Sequence, residues 1–304
     1  MSDFRETNIG WGKVIVLGEH AVVYGYPALA AALDRGVSIG VVPTRGGSLR
    51  LVVEAWDLKI DAADDHPMAR GLCAIADALG IGRPSLSLMG EAQIPPGAGL
   101  GSSAALAVAI TVALCKHFEI WLGDDAIIEA ASTSERILHG KPSGIDVALA
   151  VHGGLGVFRR STGLRKFNAP ELRILVGPSG IPRSTAEMVE KVSETTGAHA
   201  TDGRLSELGG LTDTGASALG AKDFAALGVA MNRAHHVLGS LGVSTQQLDI
   251  LCQSARDAGA WGAKLTGAGG GGAVIAIAPR QRETGILAAW RAKGVNAFVA
   301  TVGG

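Results

Sequence analysis

A glycine-spaced stretch that runs into a long apolar segment constrains the fold of this chain more than any other feature. The stretch is Ile94–Leu106, and glycine occupies alternate positions within it at Gly97, Gly99 and Gly101. Because glycine has no Cβ, such a stretch can adopt positive φ and turn several amides toward one point. The spacing predicts an anion-binding loop, with a simple tight turn before a core helix as the alternative. No Lys-Ser or Lys-Thr follows the last glycine, so the stretch is not a Walker A sequence, and it is not a dinucleotide fingerprint.

The apolar segment after the loop predicts a helix over Ala104–Phe118. Ser102 or Ser103 is the expected N-cap, since a serine hydroxyl can accept a hydrogen bond from a first-turn amide. The first-turn amides and the positive end of the helix dipole would then face the same anion as the loop. We therefore expect this part of the chain to bind a phosphate group.

The charge balance restricts what else the chain can bind. The 304 residues include 27 basic and 28 acidic side chains, for a formal net charge of -1. This balance offers no bulk positive charge to nucleic acid or to an anionic membrane, so we expect neither as a partner. Any phosphate must be bound by local groups. With 47% hydrophobic residues, the chain can fill the core of one large domain or of two.

The cysteines and the apolar runs bear on the compartment. Cys73, Cys115 and Cys252 are an odd, widely spaced set, which favours reduced thiols over a disulfide framework or a zinc site. The apolar run Ala104–Cys115 is too short to span a bilayer, and Met1–Thr7 has no apolar signal-peptide core. These features favour a cytoplasmic protein.

Periodicity and turn residues predict a mixture of strands and helices. Expected strands are Val14–Leu17, Val37–Val42, Leu49–Glu54, Ser85–Leu88, Leu155–Arg160, Leu172–Val176 and Ala273–Ala278. Expected helices are Pro27–Leu33, Met68–Leu79, Asp124–His139, Lys222–His236 and Ser244–Gly259, with the start of another at Arg183–Val192. The polar, glycine-rich segment Thr195–Thr214 is expected to be a loop. A change in composition at Ser161–Gly163 predicts domains over residues 1–162 and 163–304.

Glu135 occupies an unexpected position in the helix predicted over Asp124–His139. It falls on the apolar face, where a hydrophobic residue is expected. A carboxylate there is costly unless it is paired or bound to a cation. Glu135 is therefore either the partner of an arginine or a ligand of a hard metal such as Mg²⁺, and Arg136 points to another face of the helix.

Two further charged residues have two interpretations each. Asp146 is an acid that precedes the apolar run Val147–Val151, and it is either a helix N-cap or a catalytic group. Lys13 precedes the strand Val14–Leu17, and by itself it is most simply a solvated flank of that strand.

Three stretches taken together resemble the three motifs of the GHMP small-molecule kinases, in order and in spacing. They are Gly12–Gly25, Pro95–Ala105 and Lys264–Gly272. Within that superfamily the chain looks like a member of the mevalonate kinase family. The segments that carry this closer likeness are Gly18–Gly25, Glu135–Asp146, Pro182–Thr185 and Leu241–Val243.

The resemblance covers nearly the whole chain and implies an α+β protein with the GHMP kinase fold. It implies a ribosomal S5 domain 2-like N-terminal domain and a ferredoxin-like C-terminal domain, with an active site between them. The second glycine loop, in Lys264–Gly272, would help to close that site. The implied activity is ATP-dependent phosphorylation of the primary 5-hydroxyl of mevalonate to 5-phosphomevalonate.

The resemblance also implies a nucleotide site and a magnesium site. The residues that would cradle the ATP phosphates are Pro96, Gly97, Ala98, Gly99, Leu100, Gly101, Ser102, Ser103 and Ala104. Ser103 and Glu135 would hold Mg²⁺. Phosphoryl transfer needs alignment and charge neutralisation more than covalent chemistry, which fits these donors.

Catalytic roles follow from the same likeness. Asp146 would take the proton from the attacking hydroxyl of mevalonate, or would mainly orient that hydroxyl. Lys13 would keep Asp146 ionised and stabilise the developing negative charge on oxygen.

The remaining substrate contacts are expected from four residues. His20 would contact mevalonate, and Arg160, with Arg159 as the alternative, would pair with its carboxylate. Thr266 and the last glycine loop would close over the phosphates or over the catalytic acid. Glu19 would fix either the tautomer of His20 or the position of Lys13.

Two competing functions remain open at this point. One is another GHMP kinase, for phosphomevalonate, for a sugar or for a tertiary hydroxyl. The other is a non-catalytic binding protein with the same fold. ATP and mevalonate are the implied small-molecule substrates, and the family implies a homodimer.

Overall fold

The computed structural model describes residues 8–140, 142–167, 169–182 and 184–303. Met1–Thr7, Lys141 and Arg183, which entered the sequence predictions, lie outside the described residues. The chain divides into two compact units. The first contains the described residues up to Gly12, then Arg35–Pro96 and Gly101–Gly153, and the second contains Lys13–Asp34, Gly97–Leu100 and the chain from Gly154 onward. The predicted domain boundary after residue 162 remains a prediction.

The first unit combines a mixed sheet with four helices. Its strands lie in the order β4, β3, β5, β2, and β1 pairs with β2. The strands are β1 (Ile9–Leu17), β2 (Ala28–Pro43), β3 (Arg50–Val53), β4 (Leu58–Asp61) and β5 (Leu86–Ala92), of which β1 and β2 belong only in part to this unit. The helices are α1 (Pro67–Ala78), α2 (Ser102–His117), α3 (Asp124–His139) and α4 (Ile145–His152). Helices α2, α3 and α4 pack against one another, and α1 covers α2 and α3.

The second unit contains the early residues of β2 paired with β6 (Leu155–Arg159), which pairs with β7 (Gly163–Lys166). Its four-stranded sheet consists of β8 (Leu172–Pro178), β9 (Gly262–Thr266), β10 (Ala273–Ile277) and β11 (Phe298–Val302). Its helices are α5 (Thr185–Thr196), α6 (Gly203–Gly220), α7 (Phe224–Ser240), α8 (Gln246–Asp257) and α9 (Arg280–Arg291).

The order of strands in that sheet identifies the topology of the second unit. The sheet is antiparallel and runs β11, β8, β10, β9. Counted along the chain, this is fourth, first, third, second, with helices after the first and third strands. That arrangement is the split β-α-β pattern of ferredoxin-like folds. The α+β fold class predicted from the sequence is confirmed.

Most predicted elements are confirmed with shifts of a few residues at their ends. The helix predicted over Asp124–His139 has those same limits, and it ends at Gly140, whose φ is +70°. Such agreement is expected where apolar spacing, first-turn acids and a terminal glycine all indicate the same helix.

The helix predicted over Pro27–Leu33 was wrong, because these residues belong to β2. Ala28–Ala31 pair with Phe158–Leu155 of β6. Alanine favours a helix intrinsically, but here the four residues are buried between neighbouring elements. The α-carbon of Ala28 lies 2.7 Å from the place where a Cβ at Gly18 would stand, so the close approach of these two segments requires glycine at position 18.

The loop predicted over Thr195–Thr214 was wrong from Gly203 onward, because α6 begins there, whereas residues 197–202 do connect α5 and α6. Asp202 caps this helix, and its carboxylate accepts a hydrogen bond from the amide of Arg204 at 2.8 Å. The glycines that suggested a loop are sites of close packing. A Cβ at Gly209 would lie 2.5 Å from the ring of Tyr26, and one at Gly215 would lie 2.2 Å from Leu17.

The three cysteines are free thiols. Burial raises the pKa of Cys115 to about 11 and that of Cys252 to about 12, so both are protonated at neutral pH. None of the helices in the described ranges combines the length and the apolar character that crossing a membrane requires.

Candidate active site

The glycine loop before α2 has the backbone conformation that its sequence predicts. Gly97, Gly99 and Gly101 have φ of +68°, +77° and +73°. A Cβ at Gly97 would meet no atom within 4 Å, so the positive φ rather than crowding requires glycine there. The carbonyl of Leu100 accepts a hydrogen bond from the amide of Lys13 at 2.8 Å, which fixes the loop beside β1.

Helix α2 begins without a capping side chain, which corrects the predicted serine cap. Gly101 is the N-cap, in the left-handed region, and no side chain bonds to the first-turn amides. Ser102 and Ser103 already lie inside the helix, so their hydroxyls are displaced from the capping position. The first turn also lacks acidic residues. This end of α2 therefore offers main-chain donors and a positive dipole end to a ligand.

Ser103 and Glu135, the two predicted metal ligands, share one neighbour, His139. Ser103 Oγ lies 3.1 Å from His139 Nε2, and the same nitrogen lies 3.9 Å from Glu135 Oε2. Glu135 is 2% exposed, which confirms its position on the buried face of α3. Arg136 pairs with Glu129 at 2.9 Å, so it is not the partner of Glu135. The start of α2 and the end of α3 thus bring a hydroxyl and a buried carboxylate close together.

Asp146 lies in the first turn of α4 and is half-buried. It is not the N-cap, which corrects that interpretation: the cap is Gly144, with φ of +85°. A left-handed cap favours glycine, and Asp146 lies two positions after the cap, inside the first turn, where its side chain does not take the capping position. Helix α4 packs on α2 and α3, and it begins only six residues after α3 ends. Ser103, Glu135 and Asp146 therefore come from three helices that pack together in the first unit.

Lys13 belongs to the second unit, on β1, and is 3% exposed. The interpretation of Lys13 as a solvated flank was therefore wrong. A buried lysine is unusual unless its ammonium group has a specific function or partner. Its cooperation with Asp146 remains a prediction.

His20 has a backbone conformation that is rare for a residue with a side chain. Its φ is +60°, at the start of the short 3-10 turn Ala21–Tyr24. Such conformations cost about 1–3 kcal/mol and concentrate at functional sites. His20 Nε2 lies 2.8 Å from the carbonyl oxygen of Ala268. Because a carbonyl can only accept, Nε2 carries the proton, and this contact determines the tautomer.

The glycine loop after β9 is held by main-chain hydrogen bonds. The amide of Gly270 donates to the carbonyl of Val243 at 2.8 Å, and the amide of Gly272 donates to the carbonyl of Ile181 at 2.9 Å. Gly269 has φ of +79°, and a Cβ there would lie 2.1 Å from the oxygen of Val243. Two segments that carry the closer family likeness therefore lie beside this loop: Leu241–Val243 contributes the carbonyl of Val243, and Ile181 directly precedes Pro182–Thr185.

Glu19 forms its ion pair with a residue that sequence analysis did not single out. Lys264 Nζ donates to Glu19 Oε1 and, at 2.6 Å, to the carbonyl of Leu265. Burial raises the pKa of Glu19 and lowers that of Lys264, and in each case the charge of the partner opposes the effect of burial. Lys13 has a smaller influence on Glu19 in the same direction as Lys264.

Thr266 and the two arginines have different surroundings. Thr266 is fully buried, and its hydroxyl accepts from the amide of Ile15 at 2.9 Å and donates to the carbonyl of Ile15 at 3.0 Å. Arg160 reaches the carbonyl of Val23, in the turn that follows His20, at 3.4 Å. Arg159 instead lies 4.0 Å from Asp213 on α6. This geometry favours Arg160 over Arg159 as the arginine near His20.

Comparison with known proteins identifies the family. Residues 50–154 match the model of the GHMP kinases N terminal domain, and residues 216–296 match the model of the GHMP kinases C terminal. A mevalonate kinase from Thermococcus sibiricus is 34% identical over 89% of this chain and 88% of its own length. The chain belongs to the mevalonate kinase family of GHMP kinases.

Solved structures of mevalonate kinases have the same fold. The structure of L. major mevalonate kinase in complex with R-mevalonate superposes with a TM-score of 0.86 at 28% identity, over 98% of this chain and 95% of the other. The Methanococcus jannaschii mevalonate kinase superposes with a TM-score of 0.84 at 27% identity, over 97% and 98%. Ser103, Glu135 and Asp146 lie within the range matched by the N-terminal family model. Lys264 and Thr266 lie within the range matched by the C-terminal model.

His139 and Lys264 are the main site residues that the sequence analysis missed. His139 stands four residues after Glu135, so helical spacing could have placed it on the same face. Lys264 belongs to the third motif, but only the tertiary structure identifies Glu19 as its partner.

A buried histidine, His235, lies next to the strand that carries Lys264 in this mevalonate kinase family member. His235 Nδ1 accepts from the amide of Leu265 at 3.3 Å, and Nε2 lies 3.1 Å from Asp249 Oδ1. Burial lowers the pKa of His235 to about 4, against the opposing effect of the Asp249 carboxylate. The charges of Lys264 and Arg256 also lower it. His235 is therefore neutral when the protein is folded at neutral pH.

The neutral state of His235 makes stability depend on pH. Between pH 6.5 and pH 4 the unfolded chain binds a proton at this residue and the folded chain does not, so the free energy of unfolding falls as pH falls. The contribution is up to about 3 kcal/mol. We expect urea titrations at a series of pH values to show a stability advantage of the native chain over His235→Asn that shrinks as pH falls from 7 to 4.5. The same substitution at the exposed neighbour His236 should leave the native pH dependence intact. If the difference in free energy of unfolding between the native chain and His235→Asn stays constant across this pH range, His235 is not held neutral in the folded chain.

Proposed function

We propose that this protein transfers the γ-phosphoryl group of ATP to the primary 5-hydroxyl of mevalonate and releases 5-phosphomevalonate and ADP. The observation that carries the proposal is the 34% identity with a mevalonate kinase over 89% of the chain. The geometry supports it, because an uncapped helix, a buried lysine and three helix-borne polar residues supply what phosphoryl transfer requires.

The phosphates of ATP would bind at the loop and helix formed by Pro96–Ala104. The glycines of the loop allow its amides to converge, and the first-turn amides of α2 have no capping side chain. Main-chain donors suit this task in a chain whose net charge is only -1.

Ser103 and Glu135 would hold Mg²⁺. Magnesium is bound in kinases by one or two protein oxygens together with phosphate oxygens, rather than by a cage of side chains. The donor set fits this pattern, since a hydroxyl and a buried carboxylate lie near each other on either side of His139. When bound, the ion would neutralise charge on the phosphoryl oxygens.

Asp146 would accept the proton of the mevalonate hydroxyl as its oxygen attacks phosphorus, or would orient that hydroxyl. Its place in the first turn of α4, half-buried, leaves the carboxylate accessible to a substrate. The ammonium group of Lys13 would stabilise the developing oxyanion.

Mevalonate would be bound by residues near the first motif. His20 would contact the substrate in the tautomer that Ala268 imposes, and Arg160 would pair with the substrate carboxylate. Glu19 and Thr266 would support these substrate-binding residues without contacting the substrate, since both are buried and hydrogen-bonded within the second unit. We also propose a cytoplasmic location, which the odd, widely spaced cysteines favour, and a homodimer, which the family resemblance implies.

Release of ADP tests the activity directly. With purified protein, ATP and Mg²⁺, we expect coupled ADP release with mevalonate and at least about 100-fold lower kcat/KM with phosphomevalonate, galactose or homoserine, because a substrate that leaves polar groups unpaired is strongly rejected. Preference for another alcohol would favour a sibling kinase. No release with any alcohol, despite nucleotide binding, would favour a non-catalytic binding protein.

Replacement of Asp146 tests the catalytic carboxylate. Asp146→Asn keeps the size of the side chain and removes its charge, so we expect kcat to fall by about 10²–10⁴-fold with unchanged ATP binding and circular dichroism. The matched control is Asp125→Asn, the same substitution in the first turn of α3, which should retain full turnover. A native kcat in Asp146→Asn would remove this residue from the chemistry.

Replacement of Glu135 tests the metal ligand. In Glu135→Gln we expect the Mg²⁺ concentration for half-maximal activity to rise by about 10–100-fold, since a charged ligand is replaced by a neutral one. Glu129→Gln, on the exposed face of the same helix, serves as the control and should keep the native magnesium dependence. A native dependence in both variants would make Glu135 structural.

A further inference from the structure

The most deeply buried ion pair in the described part of the second unit joins two of the sequence motifs. Lys264 is 0% exposed and Glu19 is 1% exposed. The ammonium group donates to Glu19 Oε1 and to the carbonyl of Leu265, while Glu19 Oε2 is buried and accepts no hydrogen bond from the residues that the structure describes. The mechanism above uses neither charge directly.

Stability alone does not explain such a pair. Removing two charges from water costs more than their attraction often returns, and apolar residues of similar volume at such sites are commonly neutral or stabilising. The desolvation cost of the pair is explained if the pair holds neighbouring segments in one conformation. The position of the pair in the fold indicates which segments these are.

Two contacts of neighbouring residues run parallel to the ion pair. The hydroxyl of Thr266 bonds to both the amide and the carbonyl of Ile15, and the ring of His20 donates to Ala268 at 2.8 Å. Together with the pair, they connect residues 15–20 of the first motif to residues 264–268 of the third. Glu19 stands directly before the strained His20, and Lys264 stands three residues before the glycine loop.

The two peptide groups that flank the α-carbon of Leu265 are both held by side chains. The Leu265 carbonyl accepts from Lys264 at 2.6 Å, and the Leu265 amide donates to His235 at 3.3 Å. Rotation of either peptide group would change the direction in which β9 enters the loop Gly267–Gly272. The ammonium group of Lys264 therefore constrains both the turn at His20 and the entrance to the loop.

We propose that Lys264 and Glu19 are positioning residues for the phosphoryl transfer. Their ion pair holds the His20 turn and the Gly267–Gly272 loop in the single arrangement that binds mevalonate and closes the site. This inference rests on the proposed function and goes beyond it, because it assigns a task to Lys264 and states what Glu19 holds in place.

The test separates positioning from stability. In the double variant Glu19→Met/Lys264→Met, apolar groups of similar volume replace both charges. We expect a Tm within about 5 °C of the native value, but kcat/KM for mevalonate reduced by at least about 100-fold, since misplacement of about 1 Å is enough for such a loss. The matched control is Arg173→Met/Glu283→Met, which removes a bidentate pair of 2.8 and 2.6 Å between β8 and α9. The control should keep kcat/KM within about 2-fold, the effect expected of a pair remote from the reacting groups.

A second variant covers the case in which the double variant does not fold. Glu19→Asp keeps the charge and shortens the side chain by one methylene. We expect it to fold and to lose kcat/KM for mevalonate by at least about 10-fold, whereas Glu283→Asp in the remote pair should keep its native value. A native kcat/KM in Glu19→Asp, or in the folded double variant, would overturn the proposal. Equal losses of kcat/KM for mevalonate in the variants of the two ion pairs would also overturn the proposal, because they would indicate a general effect on stability.

Hydrogen exchange supplies a readout that does not depend on catalysis. The amides of Gly270 and Gly272 are bonded to Val243 and Ile181, so their exchange reports on the order of the loop. We expect at least about 10-fold faster exchange of these amides in Glu19→Asp than in Glu283→Asp, from local opening alone. Unchanged exchange would overturn the positioning role, even if the native protein had shown no activity with mevalonate and the proposed function had failed.

Discussion

The proposed binding of phosphate by main-chain amides is the constraint to which the other features of the site relate. A chain with balanced charge cannot hold a polyanion by its overall field, so the donors must be concentrated at one place. Glycines with positive φ before α2 and a helix start without a capping side chain meet this need. The same requirement explains why serine, usually a good cap, is displaced into the helix. There Ser103 approaches His139 and, through it, the carboxylate of Glu135.

Buried charge is the second theme, and it occurs in both units. In the first unit Glu135 lies inside a helical core, where a carboxylate is costly unless a cation or donors stabilise it. In the second unit Lys264 and Glu19 neutralise each other behind the first and third motifs. The ion pair, the hydroxyl of Thr266 and the ring of His20 all connect the same two segments, so the conformation of one segment depends on that of the other. Family membership explains which motifs are present, and these contacts explain how two of them are held together.

The sequence predicted the elements in which several local signals agree, and it failed where packing opposes local preference. The helix Asp124–His139 has acids at its start, an apolar face and a glycine after its end. Ala28–Ala31 instead form a strand, because they pair with Phe158–Leu155 of β6. The glycines of α6 imitate a loop, but Gly209 and Gly215 make room for Tyr26 and Leu17. In both cases the preference of the isolated segment was overridden by contacts with residues distant in the chain.

Which features the sequence determines and which the tertiary structure decides depends on how far apart along the chain the interacting atoms lie. Backbone conformation depends on neighbouring atoms, so the sequence alone determined that the glycine loops turn with positive φ, that an apolar helix follows the first of them and that Glu135 lies on a buried face. The partners of buried polar groups depend on which distant segments meet when the core closes. Only the tertiary structure decided that Glu19 pairs with Lys264, that Thr266 bonds to Ile15 and that His139 joins Ser103 to Glu135, because a hydrogen bond is specified by a few tenths of an ångström between atoms that the chain order leaves far apart.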